Sequence, residues 1–168
     1  MNFEEIVATI KQTIADDNVI VNIKSDVIQP FIELDANYLL PVCQLLFTHE
    51  NLYFDYLTLV SGIDNGPEKD TMEVIYHLYS IPYEHSFIIK VTIPRHTNEP
   101  EKLPTIDSIT PIWGGANWHE REAFDLLGIR FTSHPDLRRI LMPNDWVGYP
   151  LRKDYQVQET YHGIKVAY

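Results

Sequence analysis

The stretch ANWHEREAFDLLGIRFTSHPDLRRIL, residues 116–141, crowds His119, Glu120, Arg121, Glu122, Asp125, His134, Arg138 and Arg139 among Phe, Leu and Ile. Side chains of these types could hold a metal, move protons or grip a partner, and their spacing separates the three. A zincin-type site needs a second histidine one helical turn after His119, where this chain has Ala123. Glu120 and Glu122 could serve as the carboxylate pair of a hydrolase, but adjacent-but-one positions on a helix face apart and do not converge on one bond. No nucleophile elbow, phosphate-cradling glycine loop or dinucleotide fingerprint occurs.

Docking accounts for more of the pattern. Arg138, Arg139, Arg152 and Lys153 fall in a segment that also carries Trp146, Tyr149 and Tyr155, and Arg, Trp and Tyr dominate interface hot spots. The competing reading is a solvated tail whose arginines pair with acidic residues upstream.

The element that must position the first of these residues is a helix. Asn117 and Glu120 have the spacing of a capping box, so Glu120 is read as its N3 member, and Gly128 is placed to end the helix after Leu127. At about 100° per residue, Glu120, Ala123, Phe124 and Leu127 share a stripe, with Arg121, Glu122 and Asp125 opposite. Arg121 and Asp125 can then pair across one turn, worth about 0.2–0.5 kcal/mol if exposed. Beyond Ile129 neither helical nor strand periodicity persists and prolines punctuate the chain. So long an irregular segment is unusual in a compact domain unless it has a job.

Upstream, Phe3, Ile6, Val7, Ile10 and Ile14 repeat at helical spacing behind a capping box of Asn2 and Glu5. Strand-like runs follow at 19–23 and 27–34, with Pro30 predicting an edge or a bulge. Residues 38–49 read as a helix, for which Pro41 favours Asn37 over Asp35 as N-cap. Three further strands, at 52–63, 72–81 and 86–93, are joined by short turns and predict an antiparallel meander. A polar, proline-containing loop is expected at 95–105. The order predicts an α+β fold in two layers: helices on one face of a five-stranded antiparallel sheet (α-β2-α-β3), then a C-terminal helix and a long irregular tail. Residues 1–104 would form the sheet domain and 105–168 the helix and partner-docking segment of one structural unit.

The chain of 168 residues carries a formal charge of -11, and residues 1–118 account for all of it, with 6 Lys and Arg against 17 Asp and Glu. Such a surface repels nucleic acid. The longest uncharged apolar run, 37–47, falls short of the roughly 20 residues that cross a bilayer. The acidic, amphipathic N-terminus is unlike a secretory signal, which predicts a cytosolic location. Cys43, alone of its type, cannot bind an iron–sulfur cluster unaided and is expected in the core.

Glu120-Arg121-Glu122, Asp125, Leu126-Leu127, His134, Arg138 and Ile140-Leu141 after Arg139, followed downstream by GYPLRKDY from Gly148 to Tyr155, form one long spaced pattern. In this the chain resembles the C subunit of the proton-pumping NADH:quinone oxidoreductases, respiratory complex I. The resemblance implies a non-catalytic structural subunit of the peripheral arm, with no cofactor of its own. FMN and iron–sulfur clusters would belong to partner subunits. It implies docking on the large D subunit beside the iron–sulfur subunits, and peripheral attachment at the cytoplasmic face of the cell (inner) membrane. The assembly would pass electrons from NADH to quinone and translocate protons. Carried over by position, Glu120, Arg121, Glu122, Asp125, His134, Arg138, Arg139, Arg152, Lys153 and Asp154 become motif-stabilising or interface residues. Two alternatives stand beside this reading: the homologous subunit of a membrane-bound hydrogenase-type complex, and a free-standing hydrolase using Glu120, Glu122 and His134.

Overall fold

The computed structural model describes residues 1–96 and 102–166, so the middle of the loop expected at 95–105 lies outside the described residues. The first helix, α1 (Phe3–Thr13), begins with the expected capping box: the Glu5 amide donates to Asn2 Oδ1 at 2.8 Å and the Asn2 amide to Glu5 Oε2 at 2.9 Å. Ile6, Val7 and Ile10 turn its apolar stripe into the core.

Strands β1 (Ile20–Lys24) and β2 (Phe31–Leu34) pair antiparallel. The ladder's irregularity falls in β1, between Ile20 and Asn22. Pro30 makes neither an edge nor a bulge: it stands just before β2, which is an inner strand. A proline there removes no ladder bond.

Asp35, not Asn37, caps the next turn, its carboxylate accepting the Asn37 amide at 2.9 Å. A single 3-10 turn (Ala36–Tyr38) intervenes before α2 (Leu39–Thr48). Asn37 is thus already inside the coiled backbone, and Pro41 still lies in the first turn of α2, where its missing N–H has no partner to lose.

The meander is as expected: β3 (Tyr56–Asp64), β4 (Thr71–Ser80) and β5 (His85–Pro94) pair antiparallel in turn. The sheet order is β1-β2-β5-β4-β3, and the β2–β5 pair is parallel. This follows from connectivity. The helical crossover through α2 returns the chain so that β3 runs as β2 does, and a three-stranded meander ends in the direction it began. The sheet is therefore mixed rather than wholly antiparallel.

Alternation on β4 and β5 sends Met72, Val74, Tyr76, Leu78, Phe87, Ile89, Val91 and Ile93 to one face. The helices lie on that face; Phe3 of α1 meets Phe87 with ring centroids 5.5 Å apart. Cys43, on α2, is fully buried there. Beyond the undescribed residues come β6 (Thr105–Asp107), α3 (Ala116–Leu127) and β7 (Arg130–Thr132), with β6 and β7 paired in parallel. Helix α3 packs on β3, and at the closest approach Gly62 leaves room for Leu127: a Cβ there would sit 2.5 Å from Leu127 Cδ1. The rest is irregular apart from a small terminal hairpin, β8 (Thr160–Tyr161) with β9 (Ile164–Lys165).

Candidate functional site

Helix α3 starts at Ala116, two residues earlier than a capping box at Asn117 would place it, and this removes the cap role expected of Glu120. Tight turns lead straight in, with the Ala116 amide bonded to the Trp113 carbonyl and Asn117 to Gly114. Gly115 is the cap, and no side chain caps the helix. Asn117 is already helical, so the capping box with Glu120 does not form. Glu120 instead lies in the core with no exposure, Oε1 accepting the Ile109 amide at 2.8 Å and Oε2 the Ser108 hydroxyl at 2.6 Å. Burial pushes its carboxyl up to about 7, against smaller opposing effects of those two donors. The end of the helix is as expected: Gly128 takes the left-handed conformation, φ 70°, and its amide bonds Phe124.

Nor do Arg121 and Asp125 pair along an exposed face. Both are buried, because residues 134–155 fold back over that side of α3 as a strap. Asp125 Oδ2 accepts the amides of Ile140, Leu141 and Met142 at 3.0, 2.7 and 2.8 Å, while Oδ1 takes Arg139 Nη1 at 2.7 Å. Three successive amides around one carboxylate make an anion nest. Burial alone would raise the Asp125 carboxyl, but the Met142 amide, Arg139 and the other two amides outweigh it and hold it below its ordinary value.

Arginines bind strap to helix through backbone carbonyls. Arg121 donates to the carbonyls of Arg138 and Arg139 at 3.2 and 3.3 Å. Arg139 donates to those of Asp125, Trp146 and Gly148 at 2.9, 3.0 and 2.9 Å. Arg152 reaches the carbonyl of Leu127 at 2.6 Å, at the C-terminal end of α3, where a cation also favours the helix dipole. Arg139 and Arg152 both lie over the Tyr149 ring, 5.3 and 4.7 Å from its centroid. The planar, multi-donor guanidinium suits this bridging of carbonyls in a segment without regular structure.

The strap also reaches the sheet. Asp64, the last residue of β3, accepts the Lys153 amide at 2.8 Å and Arg95 Nε at 2.8 Å, and Arg95 also pairs with Asp154. Arg95 is 2% exposed. The motif pattern does not single out Asp64 or Arg95. The meander could have flagged them, since Asp64 pairs with Met72 and Met72 with Ile93, which levels the ends of β3 and β5.

The ten residues of the pattern thus divide. Glu120, Arg121, Asp125, His134, Arg139 and Arg152 point inward; the His134 side chain is fully buried, with Nε2 donating to the Asn117 carbonyl at 3.2 Å. Glu122, Arg138, Lys153 and Asp154 are exposed, and the Arg138 side chain bonds its neighbour Asp136, at 3.0 Å. Exposed beside them are Trp118, Leu141, Val147 and Leu151. A substrate has no access to Glu120, and Glu122 leaves the helix on another face, so Glu120, Glu122 and His134 do not assemble as a hydrolase centre. Among the described residues no group of three or more His, Cys, Asp and Glu is gathered as for a metal. No described helix is long and apolar enough to cross a membrane.

Residues 32–161 match the family model of the respiratory-chain NADH dehydrogenase 30 Kd subunit. The chain belongs to that family. Its relatives include proteins named as the C subunit of NADH-quinone oxidoreductase. That of Chlorobium phaeobacteroides is 44% identical over 141 residues, 83% of this chain and 81% of the relative. That of Geobacter sulfurreducens is 43% identical over 122 residues, 70% of this chain and 72% of its own. A Chloroherpeton thalassium relative is 48% identical over 71% of this chain, which spans about half of it, 47%. Among solved structures, a chain of the membrane-bound sulfane sulfur reductase, an archaeal respiratory membrane complex, superposes with TM-score 0.72 over 91% of this chain and 85% of its own, at 20% identity. That likeness is one of fold. In this chain, then, the charged pattern that carries the resemblance coincides with the strap and the helix it clasps.

Proposed function

We propose that the chain acts as a non-catalytic structural subunit in the peripheral arm of an NADH:quinone oxidoreductase. It presents the strap as a preformed docking surface to the large D subunit and neighbouring iron–sulfur subunits. In this reading residues 1–104 are the sheet domain that carries the strap and 105–168 the docking segment. FMN and the clusters reside in the partners, and the chain is held at the cytoplasmic face of the membrane through them. The observation that carries the reading is the division of the charged pattern. Inward-turned arginines and Asp125 fix an irregular backbone against α3, while Trp118, Arg138, Leu141, Val147 and Leu151 are left outward. Fixing a loop before it binds removes its ordering cost from association.

The division sharpens one expectation. The resemblance gives Arg138 and Arg139 the same interface or motif role; the geometry separates them. The test tags the full chain and recovers it from gently solubilised native membranes, measuring co-purifying flavin and iron–sulfur subunits and NADH:quinone reductase activity. Arg138→Ala is expected to lower recovery of partners with unchanged stability of the free chain. Arg139→Ala is expected to lower both, since it leaves the Asp125 carboxylate buried without its cation. Recovery of the wild-type chain without partners would overturn the proposal.

A further inference from the structure

Glu120 is a buried carboxyl that the strap does not use. It sits at the seam between α3 and the turn after β6, and its Oε2 opens onto a short line of hydroxyls: Ser108 Oγ at 2.6 Å, then Thr110 Oγ1 2.8 Å further on. Ser108 is buried and Thr110 half-buried, so the line runs from core toward surface. The Thr110 amide also donates to Ser108 Oγ, at 3.2 Å. Either protonation state of Glu120 is accommodated. An ionised carboxylate accepts from Ser108, which accepts from Thr110; a protonated one donates to Ser108, which then donates to Thr110.

What faces the carboxyl decides between them. His134 Nε2 is 3.9 Å from Oε2, but it donates to the Asn117 carbonyl, and Nδ1 accepts the Asp136 amide at 3.0 Å. Those two partners fix the neutral imidazole, so the ring offers Glu120 no charge. From β4 comes the Tyr76 hydroxyl, buried and without a hydrogen-bond partner among the described residues, and from α2 the fully buried Cys43 thiol, both neutral. The adjacent Arg121 is turned to the strap carbonyls, and Asp107 of β6 is bonded to Thr132. Among the described residues no cation compensates a charge at Glu120, and an uncompensated buried charge is costly.

We propose that Glu120 is a buried proton-binding site: in mildly acid solution the folded chain holds a proton there, exchanged along the Ser108 and Thr110 hydroxyls, and its release as the pH passes through neutrality loosens the seam between α3 and residues 105–113. Burial raises the native carboxyl above the unfolded one. The protonated form therefore stabilises the fold fully at acid pH, and that contribution is lost as pH rises toward and through neutrality. Burial holds His134 and His85 below their ordinary values, and they act with the opposite sign in the same range, so the readout is a difference between variants.

Urea unfolding of the full chain is measured from pH 5 to 8 for wild type and Glu120→Gln, whose amide can accept from Ile109 and donate to Ser108. The folded-to-unfolded ratio of wild type relative to Glu120→Gln is expected to fall by about tenfold or more across that range. Parallel profiles would overturn the proposal. Ser108→Ala removes a donor to the ionised form and is expected to move the wild-type loss of stability to higher pH. A uniform loss with no such move would remove Ser108 from the site. Should Glu120→Gln not fold, carboxyl infrared spectra of wild type labelled with 13C-Glu decide: a protonated carboxyl band at pH 6 that disappears by pH 9 is expected, and its absence at pH 6 refutes the site.

Discussion

At Asp125 one carboxylate holds three consecutive amides and a guanidinium with no exposure to water. Asp125→Ala would leave Arg139 without its anion and three amides without an acceptor. Breaking a buried pair by removing one partner costs about 3–5 kcal/mol, and a loss of that order is expected in urea unfolding at pH 7. Asp125→Asn keeps one acceptor oxygen and should lose less. Because the native carboxyl lies below its ordinary 3.8, its contribution is present above that value and fades as pH falls through the lowered native one. Asp64, lowered by the Lys153 amide and Arg95 against its own burial, acts in the same direction. Acid unfolding of Asp125→Asn should accordingly be shallower than that of wild type below about pH 4.

At the scale of elements, α3 is a helix gripped on two sides, by β3 and by the strap. Its end must therefore be compact. A Cβ on Gly128 would lie 2.7 Å from both Arg152 Nη2 and Tyr149 Cε2, and the residue's φ is +70°. Gly128→Ala is expected to destabilise by about 1–3 kcal/mol, from left-handed strain and from displacement of the Arg152 clasp. Thermal unfolding with limited proteolysis checks this: cleavage should begin in residues 141–155 before the sheet melts. Helix periodicity predicted this element's extent to within a residue or two at Ala116 and Leu127, because an apolar stripe and a terminal glycine are local signals. It misjudged the second face. Arg121 and Asp125 are an ordinary exposed pair on an isolated helix, and only a segment packing over them makes them buried bonding groups.

For the whole molecule, the sheet and the strap communicate through Asp64 and Arg95. Removing that anchor should free the strap's end without unfolding the sheet, since the meander's ladder does not depend on it. In Asp64→Asn, hydrogen exchange at the Lys153 amide is expected to accelerate at least tenfold, while amides of β4 and β5 keep their protection. Equal acceleration throughout would mean that strap and sheet open as one unit.

The sequence by itself determined the first capping box, the α2 region, the three-stranded meander, the burial of Cys43 and the spaced pattern that carries the family resemblance. Each rests on neighbours a few residues apart in the chain or on a repeat in hydrophobicity. Tertiary structure alone decided that β2 and β5 run parallel, that Glu120 meets Ser108 rather than Asn117, and that Asp64 and Arg95 hold the strap. These contacts join residues whose separation in the chain carries no periodic signal. A buried charge looks like a surface one in sequence, because what distinguishes them is the chain that folds over it.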